Sequence, residues 1–173
     1  LSNTPLRMYK HFTHEGGVKA PLIAHWPAAF TGGGAWIRGL THTIDLMPTL
    51  RDAAGADYPA QHNGAAIPPE EGLSLLSAMR GEALADRTLF FSHEQARGVI
   101  DGTWKAVFSK RTPKPPEWEL YDLSADPCET HDLAKEHPHR LDAMAAEWEA
   151  YRIRVGLEPF EPWSVPEQED ISD

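Results

Sequence analysis

The feature that most constrains the fold is a series of four short apolar segments in residues 88–123. The segments are residues 88–92, 98–100, 104–108 and 118–123. Asp101-Gly102 separates the middle two, and an Asp-Gly pair between strands is a strong signal for a two-residue hairpin. Successive strands joined by short turns pair antiparallel. The sequence therefore predicts a small four-stranded antiparallel sheet.

One long helix is predicted after these strands, at residues 138–155. Its apolar side chains recur at intervals of three and four residues and therefore form one stripe. The stripe consists of Leu141, Met144, Trp148, Tyr151 and Val155. A helix of this kind buries its stripe on a neighbouring sheet, so we expect the antiparallel sheet to pack on this C-terminal helix.

The first half of the chain has the pattern of an α/β layer. Residues 21–27 form a short apolar run bracketed by prolines, which predicts a buried strand. A helix follows, with Asp45 expected as its N-cap, Pro48 in its first turn and Gly55 just past its end. Because the chain supplies no neighbours for this strand, we expect the region to expose strand edges and apolar surface.

We therefore expect three parts along the chain. Residues 1–86 belong to an α/β domain, residues 87–157 form the antiparallel sheet and helix subdomain, and residues 158–173 form an acidic, proline-containing tail. The tail is expected to wrap the surface or to be disordered. The chain begins with Leu1 rather than Met, and its first residues resemble a loop in mid-course. We expect it to be a fragment of a longer protein.

Composition argues against several classes of function. The net charge of −10 argues against a nucleic-acid partner, because phosphate binding needs clustered Lys and Arg. No apolar run approaches the roughly 18 residues of a membrane span. The single cysteine, Cys128, excludes an internal disulfide. The sequence leaves the cellular compartment open.

The histidines and the cysteine of this sequence lack the neighbouring residues that a metal site or a reactive thiolate needs. The nine histidines include two close pairs, but neither pair comes with a convincing third ligand, so we predict no metal site made by this chain alone. The pairs are His11 with His14 and His137 with His139. Cys128 lies among acidic residues that disfavour a thiolate, so we predict no nucleophilic role for it.

Residues 92–94 read Ser-His-Glu and so contain the residue types of a catalytic triad. Adjacent positions of a strand point to opposite faces of the sheet, so these three side chains cannot converge as a triad does. We interpret their order as coincidence.

Lys10 is the most promising candidate for chemistry. It precedes Glu15-Gly16-Gly17, and a glycine pair permits unusual backbone torsions or the close approach of another chain. A lysine held at such a place can bind an anion such as sulfate or phosphate. The alternative is a solvated surface lysine, and the residues alone leave both interpretations open.

The order of residues in 4–27 resembles the arylsulfatase family. It reads Thr-Pro-Leu-Arg-x-Tyr-Lys-x-x-Thr-x-Glu-Gly-Gly-Val-x-x-Pro-Leu-Ile-x-x-Trp-Pro. Residues 45–50 are similar to that family's Asp-Leu-x-Pro-Thr-Leu helix, and residues 120–129 resemble the strand and turn before its C-terminal helix. The resemblance covers nearly all of the chain except the acidic tail.

This resemblance implies the C-terminal portion of an alkaline-phosphatase-like α/β fold, with the strand of residues 21–27 at the edge of its large mixed sheet. It also implies the hydrolysis of sulfate esters. It implies that Lys10 contacts the sulfate group and that His11 and His14 are near enough to line the pocket. Glu15-Gly16-Gly17 would be structural, and Asp126 would cap a turn. The expected partners are a sulfate-ester substrate and the upstream part of the same polypeptide, with no nucleic acid and no membrane span.

The resemblance also implies two cofactors, a formylglycine and a divalent cation, usually calcium. The formylglycine is made within a Cys/Ser-x-Pro-x-Arg motif, and no such motif occurs in this sequence. The family's metal-ligand motifs lie upstream of Lys10. We therefore expect the isolated chain to be inactive. Two alternatives stay open: a phosphonate or phosphate ester hydrolase of the same superfamily, and a non-catalytic module that binds an anion or a protein.

Overall fold

The structure is a computed structural model, and it describes residues 3–30, 33–94, 96–109 and 116–159. Its helices are α1 (Glu15–Val18), a 3₁₀ helix (Thr43–Asp45), α2 (Leu46–Ala53), α3 (Leu76–Met79) and α4 (Pro138–Arg154). Its strands are β1 (Gln61–His62), β2 (Ala65–Ala66), β3 (Thr88–His93), β4 (Ala96–Asp101), β5 (Trp104–Ser109) and β6 (Trp118–Asp122). Most of the predicted tail, residues 160–173, lies outside the described residues.

The chain divides into two compact units. Unit 1 contains Leu1–Pro21 and Thr88–Asp173, and unit 2 contains Leu22–Arg87. Unit 2 ends at Arg87, and the first 21 residues of the chain group with the sheet rather than with the residues that follow them. No helix in the described ranges has both the length and the apolar character to cross a membrane.

Unit 1 is built on the antiparallel sheet that the sequence predicts. Its four strands lie in the order β3-β4-β5-β6, each paired antiparallel with the next. The register aligns one apolar row across a face of the sheet: Phe90, Val99, Ala106 and Leu120. Helix α4 packs on this row through Met144 and Trp148, both buried. The predicted sheet packed on a C-terminal helix is therefore confirmed.

Helix α4 follows the predicted stripe except at its last position. Trp148 is fully buried, and the ring of Tyr151 stacks on Phe90 with 4.6 Å between centroids. Val155 is 38% exposed because the helix ends one residue before it. Its assignment to the buried stripe is wrong.

The hairpin between β4 and β5 is shifted by one residue from its predicted position. Asp101 pairs with Trp104, so the two-residue loop is Gly102-Thr103 rather than Asp101-Gly102. Gly102 has a φ of +58°, which glycine adopts readily and which a II′ turn requires at its first central position. The apolar pattern of both strands fixes the register, and the turn adapts to it.

The opposite face of the sheet is covered by residues 3–19, which we name the Lys10 segment. Side chains alternate between faces along a strand, so Lys105, Tyr121 and Gly98 lie on this second face. The Thr13 hydroxyl donates to the carbonyl of Arg97 at 2.6 Å. A Cβ added at Gly98 would come within 3.0 Å of the Thr13 Cβ. The segment therefore packs closely on the sheet, and this explains why it belongs to unit 1.

Unit 2 is organised around the buried carboxylate of Asp45. This carboxylate accepts hydrogen bonds from the backbone N–H of His42 at 2.7 Å and of Leu73 at 2.9 Å, and it pairs with Arg87 at 2.7 Å. The predicted N-cap role is corrected, because Asp45 closes a capping box at the preceding 3₁₀ helix and makes no side-chain cap to α2. Gly55 follows the end of α2 with a φ of +63°, as expected.

A short hairpin in unit 2 was not predicted from the sequence. Strands β1 and β2 pair through the loop Asn63-Gly64, whose φ angles of +50° and +82° are those of a type I′ turn.

The strand predicted at residues 22–26 does not form. These residues have irregular backbone in unit 2, and Ile23 is 89% exposed. A strand needs a neighbour for its backbone groups, and no strand pairs with this segment in the described part of the chain. The expected exposure of apolar surface is observed. Large exposed apolar side chains in unit 2 include Leu22, Ile23, Trp26, Trp36, Met47 and Leu50.

Candidate active-site segment

Lys10 lies in a loop of the Lys10 segment, between two stretches that are held firmly. The residue is exposed, and within the described part of the chain no hydrogen bond or ion pair engages its ammonium group. Met8, two residues earlier, has a φ of +66°, and the backbone N–H of Phe12 donates to the carbonyl of Tyr9 at 2.8 Å. The loop therefore turns tightly on either side of a cation that is available to an anion.

The glycine pair after the loop is required by close contact. A Cβ at Gly16 would come within 2.3 Å of the Met8 carbonyl oxygen, and one at Gly17 within 1.9 Å of the Phe12 carbonyl oxygen. Gly16 also donates its N–H to the carbonyl of Arg7 at 2.9 Å. The sequence suggested two reasons for the glycine pair, unusual backbone torsions and the close approach of another part of the chain. The close approach is the one observed. The loop folds back on α1, and only glycine leaves room for it.

Before the loop, Arg7 is anchored on a carboxylate of the sheet. Its guanidinium lies 2.7 Å from Glu119 Oε2 and also donates to the Tyr121 hydroxyl. The Tyr121 hydroxyl in turn donates to Glu119. Burial raises the pKa of Glu119, but His14, Tyr121 and Arg7 outweigh burial and lower that pKa to about 2. The carboxylate therefore stays charged and holds this end of the loop at neutral pH.

Beyond the loop, His14 is anchored on the same carboxylate. It is 1% exposed, and its Nε2 lies 3.4 Å from Glu119 Oε2. Its Nδ1 is buried and has no hydrogen-bond partner among the described residues. His14 thus lies within unit 1. Glu119 contacts Arg7 before the loop and His14 after it, and so holds both ends of the loop.

A second, fully buried charge network lies beside the first. Lys105, 0% exposed, places its ammonium 2.8 Å from Glu15 Oε1 and 2.9 Å from Glu129 Oε1. The backbone N–H of Glu15 donates to Glu129 Oε2 at 2.7 Å. Burial raises the pKa of Glu15, but Lys105 and the nearby Lys19 more than offset burial, so the net shift is downward. Glu15 is therefore structural, as the resemblance implies.

These networks bring two distant sequence motifs together. Glu15 belongs to the motif after Lys10, and Glu129 belongs to the turn after β6. Asp126 caps that turn by accepting from the backbone N–H groups of Thr130 at 2.6 Å and His131 at 2.8 Å. The predicted role of Asp126 is confirmed. Sequence reasoning missed Lys105, since a lysine on a strand gives no signal of the carboxylates that it meets.

His11 lies apart from these networks. Its Nδ1 is 3.2 Å from Glu94 Oε1, and its ring stacks on His93 with 5.9 Å between centroids. The structure thus separates the two histidines that the sequence grouped near Lys10. His14 points to the sheet, whereas His11 meets the end of strand β3.

The described residues of this chain do not fit the calcium and formylglycine that the resemblance implies. The only group of three potential ligands found among them is His11, His93 and Glu94, and calcium binds oxygen rather than imidazole nitrogen. Cys128, half-buried in the turn after β6, is followed by Glu129 instead of the required motif. We derive no catalytic step through either group.

Comparison with protein families gives one match over most of the chain. The family model for "N-sulphoglucosamine sulphohydrolase, C-terminal" matches residues 7–149, from the Arg7 anchor to helix α4. Both charge networks of unit 1 lie within the matched residues.

Several curated proteins are similar in sequence. A "Sulfatase" of Formosa agariphila is 32% identical over 79% of this chain and 26% of its own length. "Arylsulfatase A" of Homo sapiens is 30% identical over 74% of this chain and 28% of its own length. An "Uncharacterized sulfatase" of Schizosaccharomyces pombe is 28% identical over 90% of this chain and 29% of its own length. The chain therefore spans less than a third of each of these relatives.

Solved structures agree in fold. The BT33336S-sulf protein, from work on glycosaminoglycan metabolism by Bacteroides thetaiotaomicron, superposes with a TM-score of 0.68 at 23% identity, over 84% of this chain and 31% of its own. Ps i-CgsB in complex with k-i-k-neocarrahexaose gives 0.69 at 24% identity, over 87% of this chain and 32% of its own.

Proposed function

The chain belongs to the sulfatase family, whose N-sulphoglucosamine sulphohydrolase C-terminal model it matches, and we propose that it serves as the C-terminal region of an enzyme that hydrolyses sulfate esters. In this proposal its own contribution to the reaction is Lys10. The observation that carries the proposal is an ammonium group without a partner among the described residues, in a loop anchored by a partly buried ion pair before it and a buried ion pair after it.

Lys10 suits the binding of a sulfate group because it is a compact positive charge that no carboxylate of the described chain neutralises. Charge develops on the transferred group and on the leaving oxygen as a sulfate ester is cleaved. A cation fixed beside those oxygens lowers the barrier if its attraction grows in the transition state. Rigidity matters here, since a charge that is already in place needs no reorganisation.

The anchors of the loop supply that rigidity. Glu119 holds Arg7 before the loop and His14 after it, and Lys105 fixes Glu15 next to His14. We propose that His14 positions Lys10 through these contacts. His11 remains a candidate for contact with substrate, because it neighbours Lys10 and is partly exposed.

The remaining catalytic groups are proposed to come from the upstream part of the same polypeptide. Formylglycine and a divalent cation are generally used by this family, and this sequence lacks the motif for the former. The exposed apolar side chains of unit 2 support a partner of this kind, because apolar surface of that extent is normally covered. The isolated chain is proposed to be inactive.

The first experiment is the substitution Lys10→Ala in the full-length enzyme encoded by the gene. We expect kcat/KM for an aryl sulfate and for a sulfated sugar to fall by about 10²- to 10⁴-fold, the loss of one preorganised charge contact. Lys135→Ala is the matched control, an exposed lysine of unit 1 far along the sequence, and should change kcat/KM less than twofold. Activity of Lys10→Ala within a few-fold of wild type would remove Lys10 from the site. Hydrolysis of phosphonate esters in place of sulfates would overturn the substrate class.

A further inference from the structure

Three potential metal ligands converge where the Lys10 segment meets the end of strand β3. They are His11, His93 and Glu94, and their ligand atoms all lie within 4.8 Å of one another. His11 Nδ1 is 3.2 Å from Glu94 Oε1, and His93 Nε2 is 3.8 Å from the same oxygen. His11 is more than 80 residues away from the other two in sequence, which is why sequence spacing gave no sign of the group.

These separations suit a tetrahedral metal ion. Zinc binds imidazole nitrogen and carboxylate oxygen at about 2.0–2.2 Å, which sets ligand atoms about 3.3–3.5 Å apart. The separations of His11 Nδ1 and His93 Nε2 from Glu94 Oε1, 3.2 Å and 3.8 Å, bracket that value, and all three ligand atoms lie within 4.8 Å of one another. Two imidazoles and one carboxylate are also the donor types that zinc and similar ions prefer, whereas calcium and magnesium prefer oxygen alone.

The backbone on both sides of the group is held in place. Strand β3 pairs His93 with Ala96 at the hairpin, and Glu94 adopts a φ of +50° in the turn. On the other side, Thr13 is hydrogen-bonded to the carbonyl of Arg97 at 2.6 Å, two residues from His11. The backbone positions next to the ligands are therefore fixed by the fold of unit 1.

A simple ion pair does not account for the whole arrangement. One histidine would be enough to pair with Glu94, yet the rings of His11 and His93 stack at 26° with 5.9 Å between centroids. A metal ion could bind both rings, since histidine is a metal ligand in its neutral form. The side chains are also accessible, at 28% exposed for His11, 54% for His93 and 37% for Glu94.

We propose that His11, His93 and Glu94 bind a divalent transition-metal ion, zinc by preference, with a fourth position open to solvent. The bound ion would tie the loop next to Lys10 to the β3–β4 hairpin. This inference does not depend on the hydrolysis of sulfate esters, and its test needs no catalytic activity.

The test has two titrations of the tag-free 173-residue chain. Zn²⁺ binding is followed by calorimetry, and Co²⁺ binding is followed by visible absorption. We expect one ion per chain, a tetrahedral Co²⁺ spectrum and a higher Tm with Zn²⁺. His93→Ala and Glu94→Gln should each weaken binding by at least about 10-fold, with far-UV circular dichroism confirming that they fold.

His131→Ala is the matched control, because His131 also pairs with a glutamate, Glu136, at 3.5 Å, and belongs to no group of three ligands among the described residues. This variant should bind Zn²⁺ as the wild type does. Absence of binding, or equal affinity in His93→Ala and wild type, would refute the site. Equal affinity for Ca²⁺ would refute the assignment to a transition metal.

Discussion

At the scale of single residues, the Lys10 segment depends on a few charges placed on one face of a sheet. Glu119 and Lys105 lie on neighbouring strands with their side chains on the covered face. Glu119 pairs with Arg7 of the segment and accepts a hydrogen bond from Tyr121 of the sheet. Lys105 pairs with Glu15 of the segment and with Glu129 in the turn after β6. Removing one partner of a buried ion pair typically costs 3–5 kcal/mol, because it leaves an uncompensated charge. These charges therefore fix where the Lys10 segment lies on the sheet.

Glu119 gives a prediction for the pH dependence of stability. Its pKa is lowered from 4.5 to about 2 by His14, Tyr121 and Arg7, against the effect of burial. Because the pKa is lower in the folded state, the charged carboxylate stabilises the fold above pH 4.5, and this contribution is lost as the pH falls toward 2. Glu119→Gln mimics the protonated side chain. We expect the variant to be less stable than wild type at pH 6 and to approach it near pH 2.

The measurement is urea denaturation of both proteins from pH 6 to the lowest pH at which they fold. Glu136→Gln is the control, since Glu136 is exposed and its one ion pair with a described residue is to the exposed His131. This control should follow the wild-type curve. A stability difference between Glu119→Gln and wild type that is independent of pH would show that Glu119 acts through packing rather than charge.

At the scale of elements, the sheet has two faces with different coverings, a helix on one and the Lys10 segment on the other. Gly98, in strand β4, marks the closest approach on the second face. A Cβ there would meet Thr13 Cβ at 3.0 Å and Phe91 Cβ at 3.4 Å. Glycine within a strand often marks such an approach of another part of the chain.

Gly98→Val should therefore destabilise unit 1 by overpacking. We expect a loss of about 1–3 kcal/mol in the free energy of unfolding, measured by urea denaturation and accompanied by faster amide exchange at Thr13. Gly33→Val is the matched control, because an added Cβ at Gly33 meets no atom of the described residues within 4 Å. A Gly98→Val protein as stable as wild type would show that the segment lies farther from the sheet than described.

The elements also differ in how far the sequence predicts them. Strands β3 to β6 and helix α4 were predictable because each carries its own periodic pattern. The segment at residues 22–26 was assigned wrongly, since a strand depends on neighbours that local pattern does not reveal. Lys10 was proposed from its motif. The partners of its loop, Glu119 and Lys105, were not, because they meet it only through the register of the sheet.

At the scale of the whole molecule, the two units differ in how their backbones are secured. Unit 1 has a four-stranded sheet with both faces covered and a buried core. In unit 2, residues 22–30 are exposed apart from a half-buried Phe30, and their backbone hydrogen bonds run from Ala29 and Phe30 to Trp26, forming one turn. Backbone with few buried contacts opens at low free energy. The amide hydrogens of residues 22–30 should therefore exchange much faster than those of the sheet in unit 1.

Hydrogen exchange of the isolated chain, followed by mass spectrometry, tests this difference. We expect slow exchange in β4, β5 and α4, and also at Gly16 and Lys19, whose N–H groups bond to Arg7 and Glu15 within the Lys10 segment. Residues 22–30 should exchange within the first time point. Exchange in the Lys10 segment shows whether this segment belongs with the sheet of unit 1 or with the residues that follow it. Protection that rises and falls with the sheet in urea places the segment in unit 1, whereas exchange as fast as that of residues 22–30 would restore the boundary at residue 86 expected from the sequence.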